Sequence, residues 1–572
     1  LYIAAYIIFG YDVIIKAVKN IAKGEVFDEN FLMSIATIGA FFIGEYPEAA
    51  AVMLFYQIGE LFQDLAVGKA SKSVKSLLNI MPENANIITD EGIREIPSKD
   101  VKRDDVIVVK AGDKVPLDGI VLEGESYIDK KALTGESLPE LVKAGEKVLS
   151  GSINGSTPLK IKVEKTYSDS TAQKIFRLTE EAAGKKSKAE KFITKFAKIY
   201  TPTVVFLAVA IAVIPTLITG FSEFNTWLYR ALIFLVASCP CALVVSIPLG
   251  FFAGNGKASA AGVLIKGSTY IQSLAETDTA VFDKTGTLTE GVFIIADVKP
   301  LGTTKEELLS LCGSVEKYSS HPIAKAIYRE TQETAKTEIS EYEEISGMGI
   351  KAKAEGKDIL VGNAALMKKF GVDCDTRKDS KTTVYTSVNG KLAGIITVAD
   401  TVKKDSEKTI SSLKNMGIKT VLLTGDRKES ADEFNRELKL DEIKSELLPA
   451  DKLSEVENLY KNGSKTIVYL GDGINDAPVL RRADVGAALG VLGSDSDLEA
   501  ADCVIMSAEP SKILDAISIS KETMRRIKQN TTFVIAVKVI VLAVSAVGLG
   551  NMWLAVFADI GTALIAILNS IR

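Results

Sequence analysis

The sequence predicts a multidomain chain: an α-helical membrane bundle, a β-rich soluble block and a longer α/β soluble block. Three observations carry this reading. Apolar residues make up 47% of the 572 residues and mean hydropathy is +0.18, although 25% are charged. Such a balance fits a chain that is part membrane and part soluble. Apolar stretches cluster near residues 1–18, 30–45, 46–66, 199–220, 229–251, 531–549 and 552–570, and the later ones approach the roughly 20 residues needed to cross hydrocarbon. Two long hydrophilic blocks, at 67–190 and 264–525, separate these clusters.

Each part has its own signals. The opening "LYIAAYIIFG" lacks the charged start and small-residue cleavage site of a signal peptide. Lys16, Lys19 and Lys23 follow it, which places its C-terminal end on the cytoplasmic side. At least one further helix is therefore expected before Leu1. The short second stretch is expected to share a tight turn with the third around "GEYP". The block 67–190 is rich in Val, Ile and Lys and has turn signals such as "AGDKVPLDG", so strands are expected. The block 264–525 alternates strand-like runs ("TAVFD", "TVLLTGD", "TIVYLGD") with helical ones ("KEELLSLCGSVEKY", "SEKTISSLKNM"). That alternation predicts parallel α/β units. Both blocks carry Lys and Arg beside the spans, as cytoplasmic segments do.

Composition also excludes functions. A net charge of −5 gives no basic footprint for nucleic acid, so no nucleic-acid partner is expected. Five cysteines in this length do not make a disulfide framework. Cys312, Cys374 and Cys503 are scattered and read as ordinary reduced thiols. The single histidine, His321, excludes a His-rich metal site.

The chemistry concentrates at strand ends. In "AVFDKTGTLT" an apolar strand delivers Asp283 to a loop of Lys, Thr and Gly. A carboxylate there can attack a γ-phosphate if the charge repulsion is cancelled, in part by Lys284 and the backbone of the Gly286 turn, and further by Mg²⁺. "LGDGINDAP" brings Asp472 and Asp476 four residues apart. At a helix start that spacing puts both on one face, with hard oxygens that suit Mg²⁺. "LLTGD" ends a third strand at Thr424, Gly425 and Asp426, and Lys452 in "LLPADK" offers a cation. Three such ends would converge at the carboxyl edge of a parallel sheet. Singly, each is a strand followed by a polar turn.

"DKTGTLT", "TGES", "TGD" and "GDGINDAP", in that arrangement, resemble the P-type ATPase family across essentially the whole chain. The resemblance implies a haloacid-dehalogenase-like phosphorylation domain, an inserted α+β nucleotide-binding domain and a separate β-rich actuator domain. It implies membrane helices at 1–66, an actuator at 67–190, a helix pair with Cys-Pro-Cys at 191–263, a phosphorylation domain at 264–290 and 399–525, a nucleotide-binding domain at 291–398, and the last two membrane helices at 526–572. Asp283 would form an aspartyl phosphate. Asp472 would hold Mg²⁺ with Asp283 and the Thr285 carbonyl beside it. Thr424, Lys452, Asn475 and Asp476 would surround the phosphoryl group. Glu136 in "LTGESLP" would position water to hydrolyse the acyl phosphate. In "KYSSHPIAKAI", His321 would help to seat the adenine of ATP, as in the heavy-metal branch. Glu316, Gly347 and Gly349 in "SGMGI", and Asn363 in "VGNA", match that branch's other nucleotide positions. The glycines fit a base or ribose that approaches the backbone closely.

The membrane segment "LVASCPCALVV" poses its own question, with two thiols flanking a proline. On an intact helix residues i and i+2 point about 200° apart. A break at Pro240 would let Cys239, Cys241 and freed carbonyls face one cavity. Lys538 in "VIAVKVIVLAV" and Asp559 in "LAVFADIGTAL" are charges in apolar spans, each costing roughly 2.5–3.5 kcal/mol at a helix centre. Pairing them reduces that cost. Two thiolates, a carboxylate and a lysine carry a net charge that one divalent ion neutralises, and thiolates favour Zn²⁺ and softer ions over Mg²⁺ or Ca²⁺. Lys538 would serve as counterion when the metal leaves.

Cys-Pro-Cys, a lysine in the next-to-last span and Asp-x-Gly in the last resemble the zinc/cadmium/lead branch. That resemblance implies ATP-driven export of Zn²⁺, Cd²⁺ or Pb²⁺ by alternating access, from a monomer in the cell-membrane lipid bilayer. It also implies that Glu48 takes up the metal on its way out. Glu60, nearer the cytoplasmic end, is a candidate for entry or a plain interfacial acid. A copper(I) exporter is the alternative; it shares Cys-Pro-Cys, but the Tyr-Asn and Met-Ser-Ser patterns of that branch are absent.

Overall fold

A computed structural model describes residues 2–23, 29–77, 82–89, 92–130, 139–173, 188–238, 241–319, 321–345, 347–374, 382–471, 476–490 and 501–571. The chain divides into two compact units: Leu1–Glu276 with Asp515–Arg572, and Thr277–Leu514.

The first unit holds long helices α1 (Tyr2–Ala22), α2 (Glu29–Phe42), α3 (Tyr46–Leu77), α4 (Lys188–Thr219), α5 (Phe224–Ala237), α6 (Cys241–Ala260), α7 (Lys512–Ala546, whose first residues belong to the second unit) and α8 (Met552–Ile571). Among the described residues, four stretches are long and apolar enough to cross a membrane: Ile199–Thr219, Phe221–Ala260, Lys512–Ser545 and Met552–Ile571. Asn30–Phe42 is a shorter apolar helix. The tight turn expected at "GEYP" is present, with Gly44 at φ +90° between α2 and α3. Helices α1–α5, α7 and α8 share one core that includes Val13, Leu32, Met53, Val204, Leu232 and Val541, and α6 packs on α7 and α8 through a second cluster that includes Leu243, Val534 and Ala566. Glycine sets the closest approaches: a Cβ on Gly39 would lie 2.6 Å from Leu232, and one on Gly59 would lie 2.8 Å from Ile560. Small residues at such crossings let helix backbones pack closely in a bilayer.

Two helices extend past the apolar stretches. α3 continues to Leu77, and α4 starts at Lys188. Their polar ends are rich in Lys, with Ala among them, which favour helix over strand. Between them lies an antiparallel sheet in the order Gly92–Pro97, Asn84–Thr89, Val106–Val109, Leu159–Val163, Gly119–Glu123, Lys147–Val148. Its buried acid, Asp118, is 3% exposed and accepts from the N–H groups of Ser150 (2.7 Å) and Thr171 (3.0 Å) and from the Thr171 hydroxyl (2.7 Å). A buried carboxylate satisfied this fully pins three chain segments together.

The second unit has a parallel sheet with Thr279–Asp283 at its centre. That strand pairs with Lys419–Leu423 on one side and Ile467–Gly471 on the other. Glu442–Lys444, Val485–Leu489 and Cys503–Ile505 extend it in parallel. The central strands are buried along their length, as strands covered on both faces must be, which explains their unbroken apolar runs. Between Asp283 and the second strand an antiparallel sheet is inserted. Its order is Thr289–Pro300, Lys391–Val402, Thr382–Val388, Lys357–Gly362, Gly349–Ala354, Ile339–Ile345. The first and last inserted segments pair from Thr289↔Val402 outward, so the insert leaves and rejoins the parallel sheet as one ribbon. Helix Lys305–Glu316 starts in a capping box between Thr304 and Glu307 and packs on this sheet. Cys312 and Cys503 are buried and Cys374 is half-buried.

Candidate functional site

Parallel register brings the predicted strand ends together. Asp283 stands opposite Leu423, one residue before Thr424, and Phe282 stands opposite Leu470, one residue before Gly471. From helix Pro449–Lys461, the Lys452 Nζ lies 2.6 Å from Asp283 Oδ1 and 2.9 Å from Asp476 Oδ1. Thr424 is buried, and its hydroxyl accepts the Asp426 N–H at 3.1 Å. Lys284 forms an ion pair with Asp426. Gly286 turns the loop with φ +74°, a conformation that favours glycine.

Charge at this edge is unbalanced. Burial, and next the repulsion of Asp476, raise the Asp283 carboxyl to about 6, with Lys452 opposing. Burial works against the Lys452 ammonium, but Asp283 and Asp476 together hold it above its usual value. Asp476 Oδ2 is buried without a hydrogen-bond partner among the described residues. One lysine thus faces more anionic oxygen than it neutralises, which is the donor set that a hard divalent cation such as Mg²⁺ fits. Asp472 and Asn475 lie outside the described residues, as does Glu136.

A second layer behind this loop leaves no mark in the sequence. Lys403, 6% exposed, donates to the Gly286 and Ala508 carbonyls, at 2.7 Å each. Asp400 accepts from the Thr289 hydroxyl. Burial pushes the Asp400 carboxyl up and the Lys403 ammonium down. In sequence, "VADTVKKD" looks like a polar strand end; only the pairing of the insert's two outer strands brings it under the loop.

In the inserted sheet, His321 caps helix Pro322–Thr331, its Nδ1 accepting the Ile323 N–H at 3.3 Å. The Ser319 hydroxyl accepts the His321 N–H at 3.2 Å and donates to Glu344 at 3.1 Å. Glu344 belongs to the strand whose end, Ile345, pairs with Gly349. The Asn363 amide donates to the Gly347 carbonyl at 2.9 Å, while its oxygen accepts the Leu366 N–H at 3.1 Å. The structure also supplies a reason for Gly349 that needs no ligand. It has φ +138°, and a Cβ there would lie 2.3 Å from the Val361 carbonyl of the paired strand. Gly347, at φ +72°, meets nothing within 4 Å.

Glu316 is 6% exposed. Burial, then the nearby charge of Glu344, raises its carboxyl to about 8. Its contribution to stability is complete below the ordinary carboxylate range and is lost as pH rises through about 8. Glu316→Gln cannot ionise. It is expected to stabilise the inserted domain by up to a few kcal/mol near pH 9 and by little near pH 5. Thermal unfolding at the two pH values measures this; a larger gain at the acidic one contradicts it.

In the membrane helices, Lys538 and Asp559 form the predicted pair, with Nζ–Oδ1 at 2.7 Å. Both side chains are largely buried, and Lys538 also donates to the Ala237 carbonyl at 3.3 Å. Ala237 is the last residue of α5, and helix resumes at Cys241. The break expected at Pro240 lies outside the described residues, between these two helix ends, and the lysine reaches the Ala237 carbonyl beside them. Cys239, Pro240 and the Cys241 side chain lie outside the described residues. Glu48 accepts from the Tyr229 hydroxyl at 2.7 Å. Glu60 pairs with Lys16 at 3.0 Å, and Lys16 with Asp12 at 2.8 Å.

Comparisons with known proteins agree with this geometry. Residues 79–180 match the P-type ATPase actuator domain, and residues 277–484 match the haloacid dehalogenase-like hydrolases. The chain is 49% identical over 577 residues to the cadmium, zinc and cobalt-transporting ATPase of Bacillus subtilis, covering 100% of this chain and 82% of that protein. It is 46% identical over 575 residues to the zinc-transporting ATPase of Synechocystis sp., covering 100% of this chain and 80% of that protein. Among solved structures, a zinc-transporting PIB-type ATPase in its E2.Pi state matches with a TM-score of 0.65 and 34% identity, over 100% of this chain and 94% of that one. On these matches, which cover its whole length, the chain belongs to the heavy-metal-transporting P-type ATPases.

Proposed function

We propose that this chain exports Zn²⁺ or Cd²⁺, and ions of like charge and softness such as Pb²⁺, from the cytoplasm, driven by ATP through an aspartyl phosphate on Asp283. The observation that carries the metal class is the buried Lys538–Asp559 pair at 2.7 Å, beside the C-terminal end of α5 at Ala237. A resident lysine suits a site that alternates between a divalent cation and none. A monovalent copper(I) ion would leave the cluster of two thiolates, Asp559 and Lys538 anionic. The names of the relatives support the same choice.

ATP is taken to sit on the inserted domain with its base near Glu316, His321, Gly347, Gly349 and Asn363. An Asp283 carboxylate oxygen bonds to the γ-phosphorus, the bond to the bridging oxygen breaks, and ADP leaves with that electron pair. Lys452 and Thr424 hold the transferring group, with Asn475 and Asp476 beside it. Mg²⁺, when held by Asp283, the Thr285 carbonyl and Asp472, would neutralise phosphate charge. Glu136 on the actuator would align the water that cleaves the acyl phosphate. In the membrane, Cys239, Cys241 and Asp559 bind the metal while Lys538 gives up its hold on Asp559. On the outward side Glu48, oriented by Tyr229, receives the departing ion. The domain division at 67–190, 291–398 and 399–525 belongs to this proposal, as do the cell-membrane bilayer as its setting and the monomer as its working unit.

ATP hydrolysis by the purified chain in lipid, at fixed free Zn²⁺, Cd²⁺, Pb²⁺ or Cu⁺, tests the assignment. Stimulation by the divalent ions alone is expected. Stimulation by Cu⁺ alone would overturn the metal class and leave the phosphorylation chemistry standing.

A further inference from the structure

Helix α7 carries Lys538, and its origin is tied to the phosphorylation loop by two side chains of one short segment. Lys403 donates to the carbonyl of Gly286, in the turn that follows Asp283, and to that of Ala508, at 2.7 Å each. Two residues on, Asp405 Oδ2 accepts the N–H of Ser511 at 2.9 Å. Ser511 immediately precedes α7.

The Asp405 contact is not a by-product of local capping. Asp405 occupies the N-cap position of helix Ser406–Asn415, where an aspartate ordinarily accepts from its own helix. Here it makes no such cap bond. Its carboxylate serves the start of α7 instead. The segment between the two anchors is itself fixed to the loop: the Lys403 N–H donates to the Leu288 carbonyl at 3.0 Å, and the Ser406 hydroxyl donates to the same carbonyl at 2.8 Å. It is also the point where the inserted domain rejoins the sheet, since Val402 pairs with Thr289. The phosphorylation turn, the insert's return strand and the first residues of α7 thus share two buried or half-buried hydrogen-bonded anchors. A hydrogen-bonded helix is stiff along its axis, so displacement of its first turn is delivered further along it.

We propose that Lys403 and Asp405 are positioning residues that couple phosphorylation of Asp283 to the state of the Lys538 site through α7. The inference rests on the transport reading above. Neither residue touches ATP or metal in this role; each transmits. Breaking the tie at Asp405 should leave the loop able to be phosphorylated while loosening its dependence on metal.

The test uses the full chain in lipid, with three readouts: phosphoenzyme formed from ATP as Zn²⁺ is varied, phosphoenzyme formed from inorganic phosphate without metal, and Zn²⁺ moved per ATP hydrolysed. Asp405→Ala is expected to retain labelling by inorganic phosphate while its zinc stimulation falls about tenfold, with fewer ions moved per ATP. Asp405→Asn keeps an oxygen that accepts the Ser511 N–H and is expected to restore most of the coupling. Wild-type zinc dependence and stoichiometry in Asp405→Ala would overturn the proposal. So would a parallel loss of labelling from ATP and from phosphate, in Asp405→Ala with Asp405→Asn unaffected, since that reports a purely structural support of the loop. Phosphorylation of the wild type from ATP without any metal dependence would instead overturn the transport reading, and the coupling proposal with it.

Discussion

Asp283→Asn is expected to reduce phosphoenzyme formation from ATP by about 10³-fold or more, the scale of removing a covalent nucleophile. The same change should make the protein more stable near neutral pH. Burial and Asp476 raise the Asp283 carboxyl to about 6, so its favourable contribution is complete below the usual carboxylate range and is lost as pH rises through about 6. At neutral pH its charge is a cost that asparagine removes, while Lys452 retains Asp476 at 2.9 Å. A gain of about 1–3 kcal/mol at most follows from a shift of this size. Thermal unfolding near pH 7.5, read beside acid-stable labelling from ATP, separates the two effects. Loss of both activity and stability would show that Asp283 holds the fold together instead of waiting as a strained nucleophile.

The second large effect lies in the membrane. Asp559→Ala leaves Lys538 buried with the Ala237 carbonyl, at 3.3 Å, as its one remaining partner among the described residues, and should abolish zinc stimulation. Stranding one partner of a buried pair costs about 3–5 kcal/mol in soluble proteins, and intramembrane partners and snorkelling reduce that figure. The double variant Lys538→Met with Asp559→Ala is expected to recover most of the stability and none of the transport. A coupling of about 1–3 kcal/mol in a double-mutant cycle would fit adjacent interacting groups. Additive losses would mean that the two side chains do not sense one another in the membrane.

The parts legible in the sequence were those where a physical cost leaves a mark. A strand buried on both faces must be apolar throughout, so "TAVFD" and "TIVYLG" announced the parallel sheet, and the polar residues closing them announced its active edge. Charges at Lys538 and Asp559 were conspicuous because apolar spans tolerate few, and their pairing followed from that cost.

What escaped depends on contacts between segments distant in sequence. Lys403 and Asp405 acquire their roles only when Val402 comes opposite Thr289 and Ser511 comes up beside them. Asp118 in "PLDG" reads as a turn residue, yet it is a buried anchor for Ser150 and Thr171. Gly349 in "SGMGI" reads as room for nucleotide, and the Val361 carbonyl is a second demand that the sequence does not advertise. The polar extension of α3 to Leu77 lacked an apolar face to advertise it.

The most direct test of the central claim is ATP-driven uptake of Zn²⁺ into inverted membrane vesicles carrying the full chain, with Asp283→Asn as the blank. Uptake that requires ATP, is absent in Asp283→Asn and is lost in Asp559→Ala is the predicted result. Zinc-stimulated hydrolysis without accumulation, or accumulation equal in Asp283→Asn, would contradict the account.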